Sequence, residues 1–152
     1  MADELTIRSA TVDDAVAVAS LLAELGYPQD VSVAAHSLQL ALADPQQAVF
    51  VAELAGAVVG LAAVTRLFYF HLGQPIARLS SLVVSETLRS QQLGKRMLQA
   101  AEQWAQAQGC VQLELTSSVK RERAHAFYQR AGYEGSALRF VRRLTGDNRP
   151  VG

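Results

Sequence analysis

The sequence predicts an α/β fold: a mixed, mostly antiparallel sheet with a central parallel strand pair and helices on both faces. Three observations lead there. Apolar residues recur at helical spacing in four stretches and at strand-like spacing in the stretches between them. The resulting order is β-α-α-β-β-β-α-β-α-β. The strand–helix–strand over residues 76–117 has to be a crossover between parallel strands if both lie in one sheet, whereas the strands before it can be sequential hairpins.

Each element has a local reason. Residues 4–8 alternate as a short strand. Thr11, followed by Asp13 and Asp14, has the form of a helix N-cap with acids in the first turn. Val12, Ala15, Val16, Ala19, Leu22 and Leu25 continue that helix to Gly26 and Pro28, which stop it. A second helix begins near Asp30 or Ser32 and ends near Asp44-Pro45. Val49 to Ala52 form a strand, Ala55-Gly56 a tight turn, and residues 58–70 the returning strand of a hairpin. Gly73 and Pro75 break it, and residues 76–84 form a further, central strand. After a polar loop from Ser85 to Leu93, Gly94 opens a helix with Met97, Leu98, Ala101, Trp104 and Ala105 on its apolar face, and Gly109 stops it. Residues 110–117 alternate as a strand. Residues 121–131 are helical, with Ala124, Phe127, Tyr128 and Ala131 on one stripe, and residues 137–144 supply the last strand.

Composition narrows the function. At 152 residues the chain fits one domain over 1–152, with a core over about 5–145 and a polar tail over 146–152. Half of the residues are hydrophobic and 18% are charged, which suits a packed core and excludes a solvated polyelectrolyte. With 14 basic and 14 acidic residues the formal net charge is zero, so no nucleic-acid partner is expected. The N-terminus is acidic, and charged or polar residues interrupt every apolar run before membrane-spanning length, so no membrane partner and a cytoplasmic location are expected. A homodimer is compatible with all of this. The one cysteine, Cys110, excludes a disulfide framework and a cysteine-based metal site within one chain, and no metal is expected.

The chemistry concentrates between residues 76 and 108. A strand running into a loop that opens a helix aims unpaired backbone N–H groups and the positive helix end at one spot, which suits a phosphate; Lys95 and Arg96 add charge. A plain strand–helix connection with solvated basic residues fits the same pattern. The spacing Arg89-x-x-Gln92-x-Gly94 after Leu82-Val83-Val84 resembles the acyl-CoA-binding motif of the GNAT superfamily of N-acetyltransferases, R/Q-x-x-G-x-G/A. Ala124, Phe127, Tyr128, Gly132 and Tyr133 are similar to that family's later motif, A-x-x-F/L-Y-x-x-x-G-F/Y. The departures are Gln92 and Ser90 where glycine is usual, Arg121 where Asn is frequent, and Ser80 and Ser81 where relatives often carry an acidic base.

The resemblance implies a GNAT-like fold whose parallel strand pair splays open, and an acetyl-CoA-dependent N-acetyltransferase acting on a primary amine of a small molecule or peptide. It implies direct transfer in a ternary complex. Donor-binding residues would be Leu82, Val83 and Val84 along the strand edge, and Arg89, Ser90, Gln91, Gln92, Leu93, Gly94 and Lys95 around the diphosphate. A backbone N–H near Leu82 or Val83 would meet the acetyl carbonyl. Tyr128 would be the general acid, although a core aromatic also fits its apolar stripe. For the base, His71, Glu86, Glu114, His125 and a water chain all remain open. Residues 26–36 and 68–75, with Tyr27, Phe68, Tyr69 and Phe70, are expected near the acceptor. The run Lys120-Arg121-Glu122-Arg123 suits either a cofactor phosphate or a solvated helix start. The rivals are a non-catalytic acyl-CoA-binding module of the same fold and a generic α/β interaction domain.

Overall fold

The computed structural model describes residues 4–117 and 120–146. The chain forms two compact units, residues 1–115 and 116–152. In the first, β1 (Leu5–Ser9) leads through a single 3₁₀ turn at Val12–Asp14 into α1 (Ala15–Leu25) and α2 (Val31–Ala43). There follow β2 (Gln47–Leu54), β3 (Ala57–Tyr69), β4 (Gln74–Val84), a 3₁₀ turn at Glu86–Gln91, α3 (Leu93–Ala107) and β5 (Leu113–Leu115). The second unit holds α4 (Glu122–Arg130).

The sheet order is β1-β2-β3-β4-β5, antiparallel throughout except for the parallel pair β4-β5. Helices cover both faces. Val51, Leu61 and Val83 belong to the core shared with Val18 and Leu21 of α1 and Ala34 and Leu38 of α2. The alternate residues face α3, which buries Leu93, Met97, Leu98, Ala101 and Ala105. Gly60 marks how closely α3 approaches: a Cβ there would lie 3.2 Å from the Ala52 Cβ and 3.6 Å from the Met97 sulfur. The β2-β3 turn is formed by Ala55 (φ 52°) and Gly56 (φ 79°), the two positive-φ positions that a tight two-residue hairpin turn demands.

The fold class is as expected, with differences in detail. The parallel pair is not central: β5 is the outermost strand among the described residues. It is also shorter than residues 110–117, because Cys110 N–H still bonds the Ala105 carbonyl of the helix end and regular pairing begins only at Ala77↔Leu113. The first helix is preceded by the 3₁₀ turn, and the loop from Ser85 to Leu93 is largely 3₁₀. Residues 137–144 form no strand; Phe140 and Leu144 are 89% and 92% exposed. An apolar stretch makes a strand only where a partner edge accepts its hydrogen bonds, and among the described residues the second unit has none; residues 137–144 also lack a strict period of two, with Ala137-Leu138 and Arg142-Arg143 side by side. Residues 147–152, most of the expected polar tail, lie outside the described residues.

Candidate active site

The decisive local feature is an irregularity in β4. Ala63 pairs with Ser81 and Val64 with Leu79, so Ser80 is an extra residue, a β-bulge. Below the bulge, β4 pairs with β5 through Ala77, Arg78 and Leu79. Above it no further pairing of β4 with β5 occurs among the described residues, and the ladder ends after three residues. The bulge also resets the direction of the backbone. Ala77 N–H donates toward β5, to the Gln112 carbonyl at 2.9 Å, whereas Ser85 N–H donates toward β3, to the Val59 carbonyl at 2.7 Å. Counting back by two from Ser85, Val83 also points at β3. Leu82 and Val84 therefore direct their N–H groups to the side from which β5 has departed. Of the expected pair, Leu82 directs its N–H to that open side, whereas the Val83 amide serves the β3 ladder.

The strand feeds the 3₁₀ turn that holds the backbone of Arg89, Ser90 and Gln91; their side chains lie outside the described residues. Gln92 then takes a left-handed conformation, φ 58°, ψ 18°, and α3 begins at Leu93. Among the described residues no side chain caps α3, and its first turn holds no acid. The N–H groups of Leu93, Gly94 and Lys95 have no acceptor within the helix, and the positive helix end is left for an outside anion. Leu93 is buried against the sheet and serves as the anchor of this turn, while Lys95 is exposed.

A second cluster lies on β3, β4 and β5. Arg78 Nη1 donates to Glu114 Oε1 at 2.7 Å, and the Tyr69 hydroxyl donates to the same oxygen. That hydrogen bond holds the Tyr69 phenol above its ordinary range, with burial adding to it. The His71 ring lies 5.1 Å from the Tyr69 ring. Two of the base candidates, Glu114 and His71, are thus linked through Tyr69. Glu86 is exposed at the start of the 3₁₀ turn, and His125 is half-buried on α4. In the expected acceptor segments, Phe68, Phe70 and Tyr27 are exposed, and the Gln29 amide oxygen is buried with no hydrogen-bond partner among the described residues.

On α4, Tyr128 is half-buried, with ring contacts to Phe127 and Tyr133 at 5.1 and 5.9 Å. Burial pushes its phenol above the usual value, with Arg121 pulling the other way. Burial likewise raises the Cys110 thiol, which leaves it a poor nucleophile. Among the described residues no His, Cys, Asp and Glu side chains group as a metal site, and no helix is long and apolar enough to cross a membrane.

The family profile described as Acetyltransferase (GNAT) family matches residues 16–133, a span that includes the bulged strand, the uncapped helix and Tyr128. The chain belongs to the GNAT acetyltransferase family. As a member it is an N-acetyltransferase. It is 33% identical over 139 residues to an aminoalkylphosphonate N-acetyltransferase of Salmonella typhimurium, covering 91% of this chain and 90% of that one. Among solved structures, an aminoglycoside N-acetyltransferase in complex with CoA superposes with a TM-score of 0.85 at 18% identity, over 95% of this chain and 98% of that one. Glucosamine-6-phosphate N-acetyltransferase from Arabidopsis thaliana superposes with a TM-score of 0.80 at 17% identity, over 93% and 99%. At such identities the structural likenesses of this acetyltransferase establish its fold.

The bulge is the site feature that motif spacing missed. Its trace in the sequence is the pair Ser80-Ser81, two small polar residues inside an otherwise apolar strand.

Proposed function

We propose that the chain acetylates the primary amine of a small anionic acceptor of the aminoalkylphosphonate kind, by direct transfer from acetyl-CoA in a ternary complex. The observation that carries the direct route is the opening of β4 at Ser80, which frees the Leu82 and Val84 N–H groups beside an uncapped helix end. The acceptor class rests on the Salmonella relative.

Bound acetyl-CoA supplies an activated thioester and a diphosphate anion. The first-turn N–H groups of α3, with Lys95, suit the diphosphate. Arg89, Ser90, Gln91 and Gln92 contribute as the turn that aims them. Leu82 and Val84 run along the donor's arm, and Leu82 N–H donates to the acetyl oxygen as negative charge grows on it. As the C–S bond breaks, the Tyr128 hydroxyl, protonated at neutral pH as any phenol of pKa about 10 is, gives its proton to the sulfur. Glu114, set by Arg78 and Tyr69, accepts the proton that the attacking amine releases, directly or through water.

A thiol-release assay over aminoalkylphosphonates, polyamines, aminoglycosides, amino acids and N-terminal peptides tests the acceptor. The expected result is a kcat/KM at least tenfold higher for the phosphonates than for any other class. A better polyamine or aminoglycoside substrate would overturn the acceptor class and leave the transfer chemistry standing. For the donor, Gly94→Val crowds the first turn of α3 and is expected to weaken acetyl-CoA binding at least tenfold by calorimetry. Unchanged affinity in a folded variant would move the diphosphate elsewhere.

A further inference from the structure

On the flank of α3 that faces β1, the fold leaves a groove, and Arg96, expected from the sequence to add charge at the helix N-terminus, lines this groove instead. Ile7 and Ser9 of β1 pair with Ala52 and Phe50 of β2 and so share the α3 face of the sheet. The buried residues of α3 cover the inner strands, and β1 at the sheet edge is left beside the helix. The result is a cavity of about 650 Å³, within the size range of small-molecule sites. Ile7 and Phe50 form its floor, and Arg96, Gln99, Gln103 and Trp104 line the helix wall. Trp104, which the helical stripe assigns to the core, is only half-buried because it borders this space.

The charges around the groove do not cancel. Arg8 also lines it, but its guanidinium is held by Asp14 and Glu53, at 2.9 and 3.0 Å. Arg96 has no ion pair among the described residues, and no carboxylate lines the cavity. An aromatic floor and wall, a guanidinium and two primary amides make a surface for a flat ring that bears an anionic group. β3 lies between this groove, floored by β1 and β2, and the open edge of β4.

We propose that this groove is a second ligand site that takes a small ring-bearing anion, its ring against Phe50 and Trp104 and its carboxylate or phosphate on Arg96.

Trp104 is the chain's single tryptophan, so intrinsic emission reads the groove directly. The probes are phenylacetate and phenyl phosphate, with neutral phenylacetamide and ring-free acetate as controls; comparing the first two separates carboxylate from phosphate ligands. The expected result is saturable binding of at least one anionic probe, by emission or calorimetry, at least tenfold tighter than either control. Arg96→Gln is expected to weaken it at least tenfold without lowering the melting temperature, and saturating acetyl-CoA to leave it unchanged. No saturable binding by either method, equal affinity in Arg96→Gln, or displacement by acetyl-CoA would overturn the proposal. So would a Trp104 signal that follows protein concentration without probe, since the groove would then be a contact between copies.

Discussion

Gln92 shows what a single residue does at this site. Its φ of 58° lies in the region where a Cβ crowds the following carbonyl, at a cost of roughly 1–2 kcal/mol for an L-residue. The family motif has glycine at this position, and the left-handed backbone is the physical reason; the sequence shows the departure but not the conformation that makes it costly. Glycine would relieve the strain and lose about 0.5–1 kcal/mol to its greater unfolded freedom. Gln92→Gly is therefore expected to stabilise the chain by up to about 1 kcal/mol in urea titration, with acetyl-CoA affinity equal or tighter. Weaker donor binding would show that the Gln92 side chain itself holds the phosphate. Tyr128 poses the opposite case, a residue whose packing and chemistry can be separated. Tyr128→Phe keeps the ring contacts to Phe127 and Tyr133 and removes the proton donor. A fall in kcat of about 10²–10⁴ with little change in KM for acetyl-CoA is expected. Near-normal kcat with a lowered melting temperature would return Tyr128 to a packing role.

The elements were legible wherever hydrophobic period and stop signals agreed. α1 ends at Gly26, α2 at Asp44 and α3 near Gly109 because the sequence carries both the apolar stripe and its interruption. β2 and β3 follow from the Ala55-Gly56 turn. What remained hidden were features set by the partner rather than by the segment. The bulge at Ser80 depends on which β3 residue faces it, and residues 137–144, apolar enough to be assigned as a strand, have no strand edge to pair with in their own unit among the described residues. For the same reason, motif spacing pointed to strand 82–84 as a whole and could not tell which of its amides, Leu82 or Val83, faces the open side. The close seating of α3 gives a direct test at this scale. Gly60→Val would drive a branched side chain into Ala52 and Met97, and Ala52 is held by its own strand pairing to β1. A loss of about 1–3 kcal/mol is expected in urea titration. If the turn at Leu93 binds the donor as proposed, acetyl-CoA affinity should also fall, since Leu93 packs 3.7 Å from the same point.

Across the molecule, the response to pH is governed by a few groups whose folded and unfolded protonation differ. Asp14 is 7% exposed; hydrogen bonds from Arg8, helped by Thr11 N–H at 2.8 Å, hold its carboxyl below the usual range, with burial opposing them. A depressed carboxyl contributes stability above its unfolded pKa of about 3.9, and that stability is lost as pH falls through the folded value. Tyr69 and Tyr128 have raised phenols, so they contribute below about pH 10 and lose that contribution as pH climbs through their folded values. The Cys110 thiol, also raised by burial, begins to lose its contribution above its unfolded pKa of about 8.5, so these groups leave a plateau between about pH 4 and pH 8.5. Asp14→Asn is expected to cost about 2–3 kcal/mol at neutral pH: it leaves Arg8 without its buried partner, but Glu53 and solvent still stabilise the guanidinium, which keeps the loss at the lower end for a broken buried pair. The diagnostic is the slope. Urea titrations from about pH 7 downward should show the wild-type chain losing stability below about pH 4, while the variant, already weakened, should show a shallower decline there. Parallel curves for the two proteins would mean that carboxylates other than Asp14 drive acid unfolding, and that the Arg8–Asp14 pair acts only by packing the 3₁₀ turn against β1.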